Sequence, residues 1–309
     1  MKIVHISDLH SNFRFRKPDL KKIRNLFGHI SLLNPDHIVI TGDLTDNAEK
    51  NDFLFLRKLF ERYGWFKPER LSLTIGNHDI FGGVQVIDDL LNFPEQCRMT
   101  DYNRRVRDFI SYFDQAFYNC YFPDPANSFP YGKVIGDVLI IGINSVAGYS
   151  KIKNPFGSNG FVDLHQFNQI TDIAEKFRGR VKTRIVIIHH HFNRMKKYSG
   201  SKSASVWNRI ERQTMKLRKK KRLLSLFNEC GINLVLHGHV HYSEEYTRNG
   251  IRFMNGGATI SGKKSDPVKF NLITIENDSI QTEVIEITPE QMEEGFFQKK
   301  ETALINYSE

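Results

Sequence analysis

The chain has 309 residues, of which 40% are hydrophobic and 26% charged. That composition excludes a collagen, a coiled coil or a disordered chain as the main state, and a compact chain of this length buries about 75% of its unfolded surface without disulfide staples. Lys and Arg number 44 against 35 Asp and Glu, a net charge of +9, which favours acidic partners and says nothing about fold.

The opening Met-Lys-Ile-Val-His-Ile-Ser-Asp has too short an apolar run for a signal peptide. No stretch approaches the roughly 18 apolar residues of a membrane-spanning helix. Cys97, Cys120 and Cys230 are far apart and form no Cys-x-x-Cys pair. These features predict a soluble, cytoplasmic protein with neither a disulfide framework nor a thiolate zinc site.

Along the chain, Ile3 to Ile6 reads as a first strand. Asp19 to Leu33 comes next as a helix with Leu20, Ile23, Leu26, Phe27 and Ile30 on one face. His37 to Thr41 is a second strand and Asp52 to Tyr63 a second helix, with Phe53, Leu56, Leu59 and Phe60 aligned. Leu71 to Ile75 is a third strand. Residues 84–132 read as an insertion rich in Phe and Tyr. It carries a helix near Asp101 to Tyr118 whose apolar face (Val106, Phe109, Ile110, Phe113, Phe117) suits a core better than a lid.

Val138 to Ile143, Arg184 to Ile188 and Ile232 to Leu236 are further strands. These runs are apolar throughout, as strands buried on both faces are, and their alternation with helices predicts an α/β core. A second insertion, 192–230, holds a Ser/Gly/Lys loop. A long basic helix comes after it, with Trp207, Ile210, Thr214, Leu217, Lys221, Leu224 and Phe227 on its buried face. Phe270 to Glu276 and Ile280 to Ile287 flank Asn277-Asp-Ser as an antiparallel hairpin. The organisation is one domain, 1–288, with a charged tail at 289–309. There is no internal repeat.

The chemistry lies in polar clusters at the carboxyl ends of five of these strands. Ser7-Asp8-Leu9-His10 ends the first, and Gly42-Asp43 the second. Gly76-Asn77-His78-Asp79 ends the third. His189-His190-His191 comes directly after Arg184 to Ile188, and His237-Gly238-His239-Val240-His241 directly after Ile232 to Leu236. Parallel strands in one sheet would put all five groups on one carboxyl edge, where open α/β sheets bind ligands. An Asp-x-His or a Gly-Asp alone is an ordinary strand-end turn or helix cap. All five in this order are specific. Asp, Asn and His donors without thiolates suit Mn, Fe, Zn, Co or Ni. More than four such donors suggest two ions, with Asp43 as the shared carboxylate.

The order Asp-x-His, Gly-Asp, Gly-Asn-His-Asp, His-His, Gly-His-x-His resembles the calcineurin-like metallophosphoesterase family over about residues 1–260. The resemblance implies a four-layer α/β/β/α sandwich with two mixed β-sheets. It also implies two divalent ions, Mn, Fe or Zn, and hydrolysis of a phosphomonoester or phosphodiester by a metal-activated hydroxide. Position by position, Asp8, His10 and His241 would hold one ion and Asn77, His190 and His239 the other, with Asp43 bridging. His78 would assist the leaving oxygen and Asp79 would orient His78. The family often has His-His-Pro where this chain has His189-His190-His191-Phe192. Aligning Phe192 with the proline selects His190, and counting from the strand end selects His189; the first is preferred. His191 would lie near the substrate or on the surface, and His237 beside the sheet edge.

Residues 194–222 hold twelve Lys or Arg and one acid, Glu211, while the remainder holds 32 basic and 34 acidic residues. The charge is therefore local, and it marks either a solvated helix face or a surface for an anionic partner. Arg14, Arg16 and Lys17 are placed to touch a phosphate, and Asn144 and the loop to Gly160 to line the opposite side. The reading is a small-molecule phosphodiesterase acting on a cyclic nucleotide or glycerophosphodiester. A nuclease or lipid-linked pyrophosphatase is the alternative. A non-catalytic scaffold ranks lowest, because every ligand type is present.

Overall fold

The computed structural model describes residues 1–14, 17–84, 89–193, 215–260, 266–276 and 279–292, with only the backbone at 17, 18, 89 and 90. The chain runs β1 (Lys2–Ile6), α1 (Lys17–Leu32), β2 (His37–Thr41), α2 (Lys50–Arg62), β3 (Leu71–Thr74) and α3 (His78–Phe81). Then come α4 (Asp89–Met99), α5 (Tyr102–Tyr112), α6 (Asp114–Phe117), β4 (Tyr131–Ile135), β5 (Val138–Ile143), β6 (Gly160–Phe161) and α7 (Leu164–Lys176). The last are β7 (Thr183–Ile188), β8 (Leu217–Arg218), α8 (Lys220–Glu229), β9 (Leu234–His237), β10 (Glu244–Arg248), β11 (Ile251–Asn255), β12 (Val268–Glu276) and β13 (Ser279–Ile287).

The strands form two mixed sheets and a small parallel pair, β6-β8. The first sheet has the order β13-β12-β1-β2-β3, with β1, β2 and β3 parallel, β12 antiparallel to β1 and β13 antiparallel to β12. The second has the order β10-β11-β9-β7-β5-β4, parallel at its centre with antiparallel edges. The five motif-bearing strands therefore do not share one sheet, because β1, β2 and β3 lie in the first and β7 and β9 in the second.

Strand periodicity explains the layering. Successive side chains point to opposite faces. Val138 and Ile140 of β5, Ile185 and Ile187 of β7, and Leu234 and Leu236 of β9 join the core that contains the first sheet. Leu139, Ile141, Ile143, Val186, Ile188 and Val235 join a separate core with α7 and α8. The first core also takes Ile23 and Phe27 from α1 and Leu56 and Phe60 from α2. The result is the expected α/β/β/α sandwich. No described helix is long and apolar enough to cross a membrane.

Two predicted helices differ from the observed ones. The Asp101–Tyr118 helix breaks at Phe113 (φ −120°, ψ 33°) into α5 and α6. Its aromatic face is core, since Phe109 and Phe113 are fully buried and pack on Phe53, while Phe113 also meets Phe60. The basic helix does not run through residue 217. Leu217–Arg218 pairs as a strand with Gly160–Phe161, and Lys219 adopts φ +55° before α8 begins. Leu217, Leu224 and Phe227 are buried as predicted, but Lys221 is exposed. The stretch 194–214, with Trp207, Ile210 and Thr214, lies outside the described residues, as does the tail beyond 292.

Candidate metal centre

The carboxyl ends of β1, β2 and β3 meet those of β7 and β9 where the two sheets face each other. Asp8 and His10 leave β1 at φ +51° and +44°, Asp43 follows β2 at +49°, and His239 follows β9 at +73°. Such values are rare outside glycine and cost on the order of 1–3 kcal/mol each, so their concentration at one edge marks a site maintained against local preference. Gly42, at φ +92°, and Gly76 pack so closely that a side chain on Gly76 would overlap Asp43.

Two groups of donors result. In one, Asp8 Oδ1 lies 3.7 Å from His241 Nε2 and 3.9 Å from His10 Nε2, and those two nitrogens are 3.3 Å apart. In the other, His189 Nε2 lies 3.0 Å from Asn77 Oδ1, 3.1 Å from His239 Nδ1 and 3.3 Å from Asp43 Oδ2. Asp43 Oδ2 is also 4.0 Å from His10 Nε2, which places this carboxylate between the groups. Its Oδ1 accepts the backbone N–H of His78 at 2.8 Å.

Of the fourth motif, the structure brings His189, not the expected His190, into the donor cluster. Ile185 and Ile187 face the sheet interface while Val186 and Ile188 face the helices, so the same alternation carries His189 inward and His190 outward. Both His190 nitrogens are already engaged. Nδ1 pairs with Ser145 Oγ at 2.8 Å and Nε2 with the Ser158 carbonyl at 3.2 Å. Gly160 leaves room for the ring. Phe192 is fully buried in the outer core, and its alignment with a proline misled the count. Strand parity was the available signal. His191 is buried, its ring stacked 6.0 Å from that of His239, and His237 bonds Tyr246 through Nε2.

The Asp79 carboxylate, expected behind His78, is engaged by backbone groups. Its Oδ1 accepts Thr45 N at 2.9 Å and its Oδ2 accepts Gly76 N at 3.0 Å, tying the β2 loop to the β3 loop. Asp46, absent from the motif reading, is the carboxylate beside His78. Its Oδ1 lies 3.3 Å from His78 Nδ1, its backbone carbonyl 3.0 Å from that nitrogen, and its Oδ1 3.5 Å from His10 Nδ1. The Gly-Asp-x-x-Asp spacing was the signal for it. Arg14 is exposed; Arg16 and the side chain of Lys17 lie outside the described part of the chain.

The donor set fits cations. His189 Nδ1 is 2.8 Å from the Thr41 carbonyl, so it carries the ring proton. In the neutral ring, Nε2 then presents a lone pair to an amide oxygen, a carboxylate oxygen and another imidazole nitrogen. His239 Nε2 is buried with no hydrogen-bond partner. Burial would lower the His189 pKa, but Asp43 beside it raises it to about 9, which is the same demand for positive charge. Burial pushes His241 down to about 3 and His239 well below the usual imidazole range, so both rings are neutral donors.

Past the end of β5 lies a cavity of about 280 Å³ lined by Tyr102, Asn144, Phe129, Phe161 and Gln166 among others. β5 and β7 pair with Ile143 opposite Ile188, so Asn144 and His189 are the next residues on neighbouring strands. Tyr102 donates to the Val146 carbonyl and accepts from Asn144, which fixes that wall.

Known proteins resemble the chain in sequence and in fold. The sequence profile described as calcineurin-like phosphoesterase matches residues 1–243. An uncharacterised metallophosphoesterase of Campylobacter jejuni is 32% identical over 94 residues, 29% of this chain and 23% of that protein, so the match spans about a quarter of its length. The structure of a dimetal phosphatase from Danio rerio superposes with a TM-score of 0.56 at 11% identity, covering 93% of this chain and 98% of that one. A purple acid phosphatase from yellow lupin, Lupinus luteus, gives 0.53 at 14% identity over 93% of this chain and 51% of that one. At these identities the two structures share the fold.

Proposed function

Because the chain belongs to the calcineurin-like phosphoesterase family, we propose that it hydrolyses a phosphoester at this cluster with two divalent cations. Asp8, His10 and His241 would hold one, Asn77, His189 and His239 the other, with Asp43 shared. The observation that carries the reading is the convergence of carboxylate and amide oxygens and imidazole nitrogens within 3.0–4.0 Å of one another. Oxygen and imidazole donors without thiolate suit manganese, iron or zinc. Bound there, two such ions supply Lewis acidity toward phosphoryl oxygens and a water acidic enough to ionise near pH 7.

The chain's own groups do the rest. The His78 side chain is 26% exposed, and its ring is centred 4.6 Å from that of His10, beside the first cation position. Burial opposes its protonation, but Asp43 and Asp46 raise its pKa to about 10, so it can give a proton to the leaving oxygen. The fixed loops built on Gly76, Asp79 and Thr45 hold the phosphate-facing groups in place before substrate arrives.

The substrate we propose is a small phosphodiester, of the cyclic nucleotide or glycerophosphodiester kind. The cavity beside Asn144 is near the lower end of small-ligand pockets and matches a ring or polyol better than a polymer. Arg218 and Lys219 stand over the Phe161 ring on its border, within the basic stretch. That stretch also favours a nuclease as the alternative, which predicts a steep fall in binding with salt.

The test is turnover of bis-p-nitrophenyl phosphate by protein reconstituted with Mn²⁺, Co²⁺, Ni²⁺ or Zn²⁺, with elemental analysis of the same sample. Hydrolysis at about two ions per chain is expected. Well under one ion per chain, or no turnover with any metal, overturns the reading.

A further inference from the structure

Behind Asp8 runs a line of buried polar side chains that the proposed hydrolysis leaves unused. Asn271 Nδ2, on β12, is 3.0 Å from His5 Nδ1. His5 Nε2 is 2.9 Å from Thr41 Oγ1, Thr41 Oγ1 donates to Ser7 Oγ at 2.8 Å, and Ser7 Oγ donates to Asp8 Oδ2 at 2.5 Å. His5, Ser7, Asp8 and Thr41 are fully buried and Asn271 is 1% exposed.

Both ends fix the direction of this line. At one end Asn271 Nδ2 also reaches the Asn255 backbone carbonyl at 3.3 Å. A carbonyl only accepts, so the amide nitrogen must point there, and it donates to His5 Nδ1. At the other end Ser7 Oγ donates to Asp8 Oδ2, so Ser7 spends its one proton there. Thr41 then spends its proton on Ser7, and His5 must supply Nε2–H to Thr41. Burial drives the His5 pKa down to about 3, which keeps one proton on the ring.

The second sheet seals the line. A side chain at Gly238 would overlap Ser7 Oγ and Asp8 Oδ2, and one at Gly256 would come 2.8 Å from Ser7 Cβ and 3.2 Å from His5 Cε1. Asp8 Oδ1, meanwhile, faces His10 and His241 at 3.9 and 3.7 Å and accepts the His239 N–H at 3.1 Å. Thr41 serves the other group too, because its carbonyl holds His189 Nδ1.

We propose that His5 is a positioning residue for the metal-facing carboxylate. Held by Asn271, its Nε2–H orders the Thr41 and Ser7 hydroxyls and ties down Asp8 Oδ2, which, with the His239 N–H shared between both oxygens (3.1 Å to Oδ1, 3.0 Å to Oδ2), turns Oδ1 toward His10 and His241. The functional part rests on the metal-centre reading; the direction of the line does not.

Two measurements test it. In metal-free wild-type protein with ¹⁵N-labelled histidine, long-range ¹H–¹⁵N spectra should show His5 as the Nε2–H tautomer, without titration between pH 5 and 9. An Nδ1–H tautomer overturns the proposal. Thr41→Val deletes the hydroxyl and keeps the carbonyl on His189, while Thr41→Ser keeps both. Competition of each variant with a chelating dye for Mn²⁺ should show Thr41→Val weakened about 10–100-fold, as is usual for groups behind metal ligands, and Thr41→Ser within about threefold of wild type. Equal Mn²⁺ affinity in Thr41→Val and wild type overturns the role of the line. Wild-type protein that binds no Mn²⁺ overturns the metal-centre reading instead, and the tautomer still decides the direction. Should Thr41→Val fail to fold, the wild-type tautomer carries the test.

Discussion

Asp46 Oδ1 lies 3.3 Å from His78 Nδ1, and the Asp46 carbonyl lies 3.0 Å from the same nitrogen. The pair makes the protonation of His78 a property of the loop after β2. Burial lowers the His78 pKa, but Asp43 and then Asp46 outweigh it and bring the value to about 10. A raised histidine pKa keeps the protonated form at neutral pH and loses it as pH rises through that value. Asp46→Asn removes one of the two anions, so the alkaline limb of kcat/KM should move to lower pH. The loss should be larger for substrates with poor leaving groups, about 100-fold or more where protonation limits. An unmoved alkaline limb would remove Asp46 from the mechanism.

Asp79→Ala should act on stability instead. The carboxylate accepts Thr45 N and Gly76 N inside the core, and deleting it leaves two buried N–H groups unpaired. Each costs about 1–3 kcal/mol. Urea unfolding of metal-free protein should show a loss of that order. A midpoint equal to wild type would contradict the bracing role.

His189→Ala and His190→Ala separate the two readings of the histidine triplet. The first removes a nitrogen from the Asn77, Asp43 and His239 group and should lower the metal content by about one ion per chain. The second cuts the bonds to Ser145 and Ser158, so it should lower the melting temperature and keep the stoichiometry. The reverse pattern in elemental analysis would return the ligand role to His190.

The triplet also shows where sequence reading stops. The five motifs and most strand positions were legible because each is a local event, an apolar run with a polar cluster at its end. The choice between His189 and His190 depends on which sheet face the strand end presents, and parity from Ile185 and Ile187 points to His189. Asp46 was missed because its partner His78 lies 32 residues away on another loop, and adjacency made Asp79 look like the partner. The His5 line was invisible for the same reason, since it joins β1, β2 and β12 through side chains that read separately as strand residues. The basic helix failed at Leu217, where pairing with Gly160 overrode a helical spacing.

Asp52 supplies the last prediction, in metal-free protein. It is 2% exposed at the start of α2, and its Oδ1 accepts Phe13 N at 2.7 Å and Ser11 Oγ at 3.2 Å. Burial raises its pKa to about 6 despite those bonds, with Glu49 and Asp46 adding to the rise. An acid whose folded pKa exceeds its unfolded value holds extra protons in the native state between the two. Its contribution is therefore full below about pH 4 and lost as pH rises through about 6, on the order of 1–3 kcal/mol. Asp52→Asn keeps an oxygen for both donors and removes the titration. Melting temperatures measured from pH 4 to 7 should therefore fall less with pH in Asp52→Asn than in wild type, the two curves separating in favour of the variant above pH 6. Parallel curves would show that the Asp52 carboxyl ionises in the folded chain as freely as in water.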